Sequence, residues 1–551
     1  MFIRIKTTPN SPRKSVQIVE SVRKGAAVTQ KIVRHVGIAM DEQELAQLQL
    51  LGKSIIEKMD QEAKPSLFSP EEIAEMKAAN KLADLNKDMK NFDVNLHNLK
   101  EEDRVVEGIH DVYGALFEQL QLGKLFDEKK KRSGEIFKEV VLARLADPRS
   151  KLKTTEILQR SFGVRLDVNA IYRMMDHVDE ELIEKLKDTV YQQTLKLFGG
   201  SLDVVLFDVT TLYFESFEED EFRKNGYSKD LKFNQPQIVL ALMVTKEGLP
   251  IGYDVFSGDT YEGHVLIPCL NQLKAKYGVN RVIFVADSGL FNEENLKALV
   301  TNGFEYVVGA RLKNQKTGMV QQILDTEQYA TLSEDVRIAE FEHEHGRLIV
   351  NHSAIRARKD KHDRDKQIQK LEKKLKKKTN IKELITGYGT KKFLKVEGEG
   401  RLVLNEETIK EAEAWDGLHG LITNAKEISA GEAIGFYKEL WMIEEAFRLH
   451  KTDLSIRPVY HFKESRVKAH VAILFASFCL MKQLHYRVKL RYKQLSPERI
   501  KEELLSVQAS ILYDKKSKFR YRLPSKLTIE ADKIYTALDI TRDLKPQIIS
   551  A

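Results

Sequence analysis

Residues 202–214 read LDVVLFDVTTLYF. Valine, leucine, phenylalanine, threonine and tyrosine fit a pleated, mostly buried surface, so the stretch is expected to be a strand. Asp208 sits in its middle, between Phe207 and Val209. A carboxylate buried there costs several kcal/mol, about 2–7 for an uncompensated polar group and more for a charge, unless a cation or strong hydrogen bonds offset it. Further strands follow at 237–245 (QIVLALMVT) and 249–257 (LPIGYDVFS), with Leu249-Pro250 at the short connection between them. An amphipathic helix is expected at 264–277, with Val265, Ile267, Leu270 and Leu273 as its apolar positions. Then come a strand RVIFVAD (281–287) ending in Asp287, a helix at 293–301, and a strand FEYVVGA (304–310). Three sequential strands followed by alternating helix and strand predict a mixed α/β sheet. Asp287 stands at the carboxyl end of a strand, where sites in open α/β sheets collect, although an Asp there also commonly caps a turn.

After Arg311 the α/β rhythm stops for over a hundred residues. A hairpin around Gly346, a basic helix and two short strand-like pieces (KFLKVEG and GRLVLN) predict a β-rich insertion. GLHGLITN (417–424) then leads into a long helix expected to start near Ala433. In GFYKELWMIEEAFRLHK (435–451), Phe436, Leu440, Ile443 and Phe447 share one apolar face. Tyr437, Trp441, Glu444, Arg448 and Lys451 form the adjacent stripe, which places Glu444 at the border of the core face. Glu444 and Arg448 are i, i+4 partners, and Glu445, about 100° away, is expected to be solvated.

The sheet is expected to be flanked by other bodies. Short strands fill 2–36, with Lys24-Gly25 suited to a hairpin turn, and a helical arm follows from Asp41 to roughly Met89. The stretch 109–197 reads as helical throughout. Within it 154–160, Gly163 and 168–178 resemble a helix-turn-helix, with Asn169, Tyr172 and Arg173 facing outward. The expected division is 1–100 (hairpins and arm), 101–198 (helical, a candidate DNA-binding domain), 199–311 (first part of the core), 312–430 (insertion), 431–490 (closing helices) and 491–551 (tail), with helix continuing to about Leu512.

The 551 residues exceed one compact core, and 42% hydrophobic content is ordinary for a globular chain. Cys269 and Cys479 are the only cysteines, which excludes a disulfide scaffold or a cysteine-rich zinc site. Residues 1–8 lack the apolar core of a signal peptide, and the apolar run 471–481 is too short to span a bilayer, so no membrane role and a cytoplasmic location are expected. The formal charge is +7, yet 356–382 alone carries 13 Lys or Arg against 4 Asp or Glu. A basic strip on a near-neutral body points to a polyanion, with Lys373 and Lys377 as candidate phosphate contacts, or else to a solvated charged helix.

The order strand-Asp208, strand-Asp287, helix-Glu444 resembles the DDE transposases of bacterial insertion sequences, whose core is ribonuclease H-like. The helix is similar to the Tyr-x2-Arg-x3-Glu-x6-Lys signature of insertion-sequence family four: Tyr437, Glu444 and Lys451 match its spacing, and Leu440 stands where the signature has Arg. Leu440-Trp441 resembles one subgroup with Leu-Trp there, as does DGLHGLITN (416–424). SGDTYEGH (257–264) is similar to the Gly-Asn-x-x-Glu motif that precedes the second Asp, with Asp259 in place of Asn. The resemblance implies an enzyme that cuts and joins DNA with two Mg²⁺ (or Mn²⁺) ions held by Asp208, Asp287 and Glu444. It also implies double-stranded partners (terminal inverted repeats and target DNA) and a possible homodimer. Tyr437 and Lys451 would bind phosphates, Arg448 would supply the charge missing at Leu440, and Trp441 would pack or stack on a base.

Other readings use the same residues. A ribonuclease H-like nuclease without strand transfer needs the same acids but not the added domains. A DNA-binding relic would lack one of them. His343, His345 and His352 are a weak zinc candidate with no fourth ligand, and 363–381 is a short candidate coiled-coil contact.

Overall fold

The computed structural model describes residues 1–7, 13–24, 27–62, 94–200, 202–215, 218–226, 234–261, 264–277, 283–290, 293–376, 392–397, 401–451, 454, 459, 461–492 and 495–550. They form two compact units: Met1–Asp103 with Ser510–Leu523 and Lys545–Ala551, and Arg104–Ala509 with Pro524–Leu544.

In the smaller unit, β1 (Phe2–Thr7), β2 (Lys14–Lys24) and β3 (Ala27–Ala39) make an antiparallel sheet in that order. Helix α1 (Glu42–Glu62) brings Leu45 onto Val16 and Ala39, forming a small core. The expected arm beyond it lies outside the described residues. Strand β4 (Leu99–Val106) belongs to a second, four-stranded sheet with Gln508–Asp514, Arg520–Pro524 and Gln547–Ser550. Helix therefore ends before 508 and not near Leu512, because QASILYD alternates with the period of a strand.

The larger unit opens with helices α2 (Lys131–Ala146), α3 (Lys151–Phe162), α4 (Val168–Asp176) and α5 (Glu180–Leu197). The turn after α3 is closed by Gly163 at φ +70°, the left-handed conformation that glycine adopts without a Cβ clash. Asn169 and Arg173 are exposed on α4 as expected. Tyr172 is not: the Arg466 guanidinium lies 4.9 Å over its ring, held there by Asp176 at 2.8 Å. A tyrosine at that angle serves packing, because a long cation from a distant helix covers it.

Among the described residues the central sheet has nine strands: β5 (Val204–Tyr213), β6 (Gln237–Thr245), β7 (Pro250–Ser257), β8 (Ile283–Ala286), β9 (Glu305–Gly309), β10 (Ala330–Ser333), β11 (Val336–His343), β12 (Gly346–Ser353) and, after the β13 (Leu394–Glu397) and β14 (Arg401–Leu404) hairpin, β15 (Leu418–Thr423). The order is β10-β11-β12-β15-β9-β8-β5-β6-β7. Strands β5, β8 and β9 run parallel, and β6 and β7 fold back antiparallel. The segment expected as an insertion is thus not a body set apart. Its strand β15 pairs antiparallel with β9 (Leu421 opposite Gly309) and extends the core sheet. An exposed strand edge is a row of unmet hydrogen bonds, and β15 meets it.

Alternation sorts the sheet's side chains. Leu206, Leu240 and Val285 face one core together with helices α11 (Ala430–Lys438), α12 (Trp441–Lys451) and α13 (Glu464–Arg491). Phe207, Ala241 and Phe284 face the other, with α6 (Leu266–Tyr277) and α7 (Glu293–Thr301). By length and composition α13 is apolar enough to cross a membrane, yet 94% of its apolar window is buried within the protein. It is the central core helix.

Between β9 and β10 lies helix α8 (Thr317–Leu324). Between β12 and β15 lie the basic helix α9 (Ala354–Lys376) and α10 (Glu406–Glu413). Leu371 of α9 packs with Phe393 and Ile409, so the thin apolar stripe read as a coiled-coil contact is covered from within the chain. The helix expected from about Ala433 is two helices. The bonds at the junction shorten to three residues (Met442 N–H to Glu439 O, 2.8 Å), tightening the backbone where Leu440 turns into the core.

Candidate active site

Register brings the two aspartates together. In the parallel pair β5–β8, Leu206 stands opposite Val285. Two residues further along β5 comes Asp208, on the same face as Leu206, and Asp287 follows directly after the end of β8. The face is the one covered by α11 and α12, and Glu444 stands exposed on α12. Asp208, Asp287 and Glu444 line one cavity of about 490 Å³, together with Tyr437, Trp441 and Arg356.

Each acid is held differently. Asp208 is half-buried, and its Oδ1 accepts the amide of Val209 at 2.7 Å. Asp287 Oδ1 accepts the Ser288 amide at 2.7 Å and the Tyr437 hydroxyl at 3.0 Å. Tyr437 packs against His419, ring centroids 4.9 Å apart. Burial first, then the negative charge of Asp287, raises the Tyr437 hydroxyl well above its usual pKa, so it remains a donor. Burial and the nearby Arg356 push His419 down to about 4, opposed by Asp287, which leaves it neutral above that pH. Tyr437 therefore orients Asp287 in this conformation, where the sequence pattern placed it on phosphates.

Among the described residues no three carboxylate, histidine or cysteine side chains are close enough to form a ready-made metal cluster. The three acids share a cavity, not a coordination sphere. As donors they suit a hard divalent cation, which takes carboxylate oxygens and fills its other positions with water or phosphate.

Other expected contacts are placed as follows. Trp441 is 52% exposed at the cavity. Arg448 is not among the lining residues, and its Nη2 lies 4.0 Å from Glu445, not from Glu444. The positive groups at the cavity are Arg356 and Lys438. Arg356 opens the basic helix, and composition alone could not single it out among 13 basic residues. Asn351 and His419, also lining, stand opposite each other on β12 and β15, which pair although distant in sequence. Glu445 is not solvated: its carboxylate lies 3.2 Å from Lys482, which is 3% exposed on α13. Lys373 is exposed on α9, while Lys377 and the Lys451 side chain lie outside the described residues. His343 and His352 stand at opposite ends of the β11–β12 hairpin, opposite Gly346 and Arg337 respectively, so the three histidines form no shared site.

Close packing under Tyr437 yields a prediction. A Cβ at Gly309 would lie 2.6 Å from the Tyr437 hydroxyl and 3.1 Å from the Ser288 amide. Gly309→Ala is expected to push the hydroxyl off Asp287 and to cost about 1–3 kcal/mol as overpacking. Paired measurements of thermal unfolding and DNA cleavage check this: cleavage falls, and Tyr437→Phe in the same background adds little further loss.

Comparison with known proteins gives the family. A family model described as Transposase DDE domain matches residues 199–480, and one described as IS1634 family transposase, N-terminal domain, matches residues 3–70. No curated protein matches. Among solved structures, a piggyBac transposase synaptic complex with hairpin DNA aligns at 10% identity and TM-score 0.36, covering 72% of this chain and 77% of that one. A pre-cleavage Mos1 transpososome aligns at 16% identity and TM-score 0.14, covering 31% and 57%. The DDE-domain match spans more than half of the sequence and contains Asp208, Asp287 and Glu444, so the chain belongs to the DDE transposases.

Proposed function

We propose that the cavity holding Asp208, Asp287 and Glu444 is the catalytic centre, and that there the transposase cuts its element's DNA ends and joins them to target DNA. The observation carrying this reading is that Asp208, Asp287 and Glu444 line one cavity, Asp287 following directly on the strand that pairs parallel with that of Asp208. Two divalent ions (Mg²⁺ or Mn²⁺), held by Asp208, Asp287 and Glu444, would supply the charge that acidifies an attacking water and neutralises the leaving 3′ oxygen. The chain's own residues do the rest. Asp208, Asp287 and Glu444 would supply the carboxylate oxygens that hold the ions. Tyr437 fixes the rotation of Asp287. Arg356 and Lys438 hold the DNA backbone, and Trp441 forms the lip.

Cutting breaks the P–O3′ bond and leaves a free 3′-OH. Joining makes that oxygen the nucleophile on a target phosphodiester, whose own P–O3′ bond breaks. Both steps are the same in-line displacement with a different nucleophile. The partners of this reading are double-stranded terminal inverted repeats and target DNA, with a homodimer pairing two ends. The Leu440-Trp441 pair and the Tyr437-Glu444-Lys451 spacing support placement in the Leu-Trp subgroup of insertion-sequence family four.

A plasmid carrying a marker between the DNA segments that flank this gene tests the function. A transposase should yield excised marker joined to a new site. Cut ends without joined product would favour a nuclease instead. On the basic helix, Lys373→Glu is expected to weaken binding of that flanking duplex. It should also lower the slope of log affinity against log salt by about 0.9 for each phosphate that is no longer neutralised. An unchanged slope returns α9's outer face to solvent.

A further inference from the structure

A second cavity of about 580 Å³ adjoins the carboxylate cavity, and the two share Arg356 and His419 in their linings. Its wall is built from four places in the sequence: the chain leaving β9 (Arg311, Lys313), the inner face of α9, Lys392 with Phe393, and the stretch from the end of α10 into β15 (Trp415, Asp416). Of the three acids in this wall, Asp416 and Asp360 are engaged within the protein, and Asp363 faces Lys313, Lys392, Arg311, Arg356 and Arg364 in the same lining. Asp416 pairs with Arg364, which also lies 3.5 Å from Glu413. Asp360 accepts the Gly417 amide at 3.0 Å and stands 3.8 Å from Arg356.

The two lysines are placed otherwise. Lys313 Nζ lies 5.3 Å over the Trp415 ring, and Lys392 Nζ lies 4.8 Å over the Phe393 ring. Among the described residues neither has a salt-bridge partner. An aromatic face under an ammonium group fixes its position without cancelling its charge. Burial, and then Lys392, hold the Lys313 amine below its usual pKa, with Asp416 and Glu411 opposing. Two like charges pinned in one cavity raise the free energy of the empty site, and a bound anion removes that cost.

We propose that this second cavity is a phosphodiester-backbone site, in which Lys313 and Lys392 grip the DNA strand that continues from the phosphate held at Asp208, Asp287 and Glu444. Arg356 stands at the passage between the two cavities, and Arg311, in the wall of the second, is fixed by a 3.2 Å bond from its Nη2 to the carbonyl of Ser288, the residue after Asp287. The site rests on the reading of the carboxylate cavity as the catalytic centre. It gives the bound strand a direction, from β8 toward the inner face of α9.

Binding of a fluorescein-labelled short oligothymidylate to the full chain, followed by anisotropy over a range of salt, tests the site. Lys313→Ala/Lys392→Ala is expected to reduce the slope of log affinity against log salt by about 1.4, or roughly 0.7 per single-strand phosphate neutralised. Affinity at low salt should fall by about tenfold or more. Lys313→Arg/Lys392→Arg should recover the slope, since a guanidinium keeps the charge and stacks on an aromatic ring. An unchanged slope in the alanine pair, with unaltered circular dichroism, overturns the proposal. The wild-type chain and Asp208→Asn should give the same slope, so this assay reports on the lysines and loss of cleavage in Asp208→Asn reports separately on the carboxylates.

Discussion

Asp208→Asn is expected to lower metal-dependent DNA cleavage by on the order of 10³-fold or more while leaving affinity for the same duplex within a few-fold. The carboxylate sits mid-strand between Phe207 and Val209, which are both essentially buried, and its Oδ1 accepts the Val209 amide at 2.7 Å. A charge in that position is a cost to the fold that function explains. Asparagine keeps the shape and removes the charge, so the strand pairing (Asp208 opposite Leu242) should survive. What disappears is the attraction for a divalent cation, worth several kcal/mol in transition-state charge stabilisation, at about 1.4 kcal/mol per tenfold in rate. Asp287→Asn and Glu444→Gln should behave alike. Cleavage assays with Mg²⁺ and with Mn²⁺, run beside a binding isotherm, check all three. A variant that cuts at the wild-type rate would remove that residue from the site.

Lys482→Met is expected to destabilise the larger unit by about 3 kcal/mol, because among the described residues it leaves the half-buried Glu445 carboxylate with only the exposed Arg448, 4.0 Å away, to offset its charge. The pair is buried on both sides: Lys482 is 3% exposed and the Glu445 side chain 16%. Burial holds the Lys482 amine below its usual pKa, and Glu445 opposes that shift, as an ion pair in a poorly solvated place should. The pair also sets function. It pins α12 to α13 through the residue next to Glu444, so the helix can turn only one face to the cavity. Urea unfolding of Lys482→Met, Glu445→Leu and the double variant checks this. The double variant should recover much of the stability, since an apolar pair replaces a buried ion pair at little cost. Full additivity of the two single losses would contradict the coupling.

Much of the fold is legible because strands buried on both faces read as apolar runs, and an acid inside one, as at Asp208, has no local excuse. Glu444 is legible from helical spacing alone. What the sequence could not show is non-local. The position of Asp287 beside Asp208 depends on the β5–β8 register, set by strands about eighty residues apart. Glu445 reads as solvated because its partner lies 37 residues on, in a helix that reads as pure core. Tyr172 reads as exposed because its cover, Arg466, comes from a helix that follows the whole sheet in sequence. The break at Glu439–Leu440 leaves no trace, since apolar spacing continues unbroken across it. The basic segment reads as one strip, but Arg364 is spent on Asp416 and Glu413, and only part of its charge faces outward. The second cavity is non-local in the same way, its wall drawn from four stretches, which is why Lys313 and Lys392 carry no signal in the sequence.

The central claim is that Asp208, Asp287 and Glu444 together bind the divalent ions that cut DNA. Mn²⁺ titration of the chain with its flanking-DNA duplex, followed by electron paramagnetic resonance, tests it most directly. About two tightly bound Mn²⁺ per chain are expected, with fewer in each single variant and none in Asp208→Asn/Asp287→Asn/Glu444→Gln. The same Mn²⁺ occupancy in the triple variant as in the wild type would contradict it.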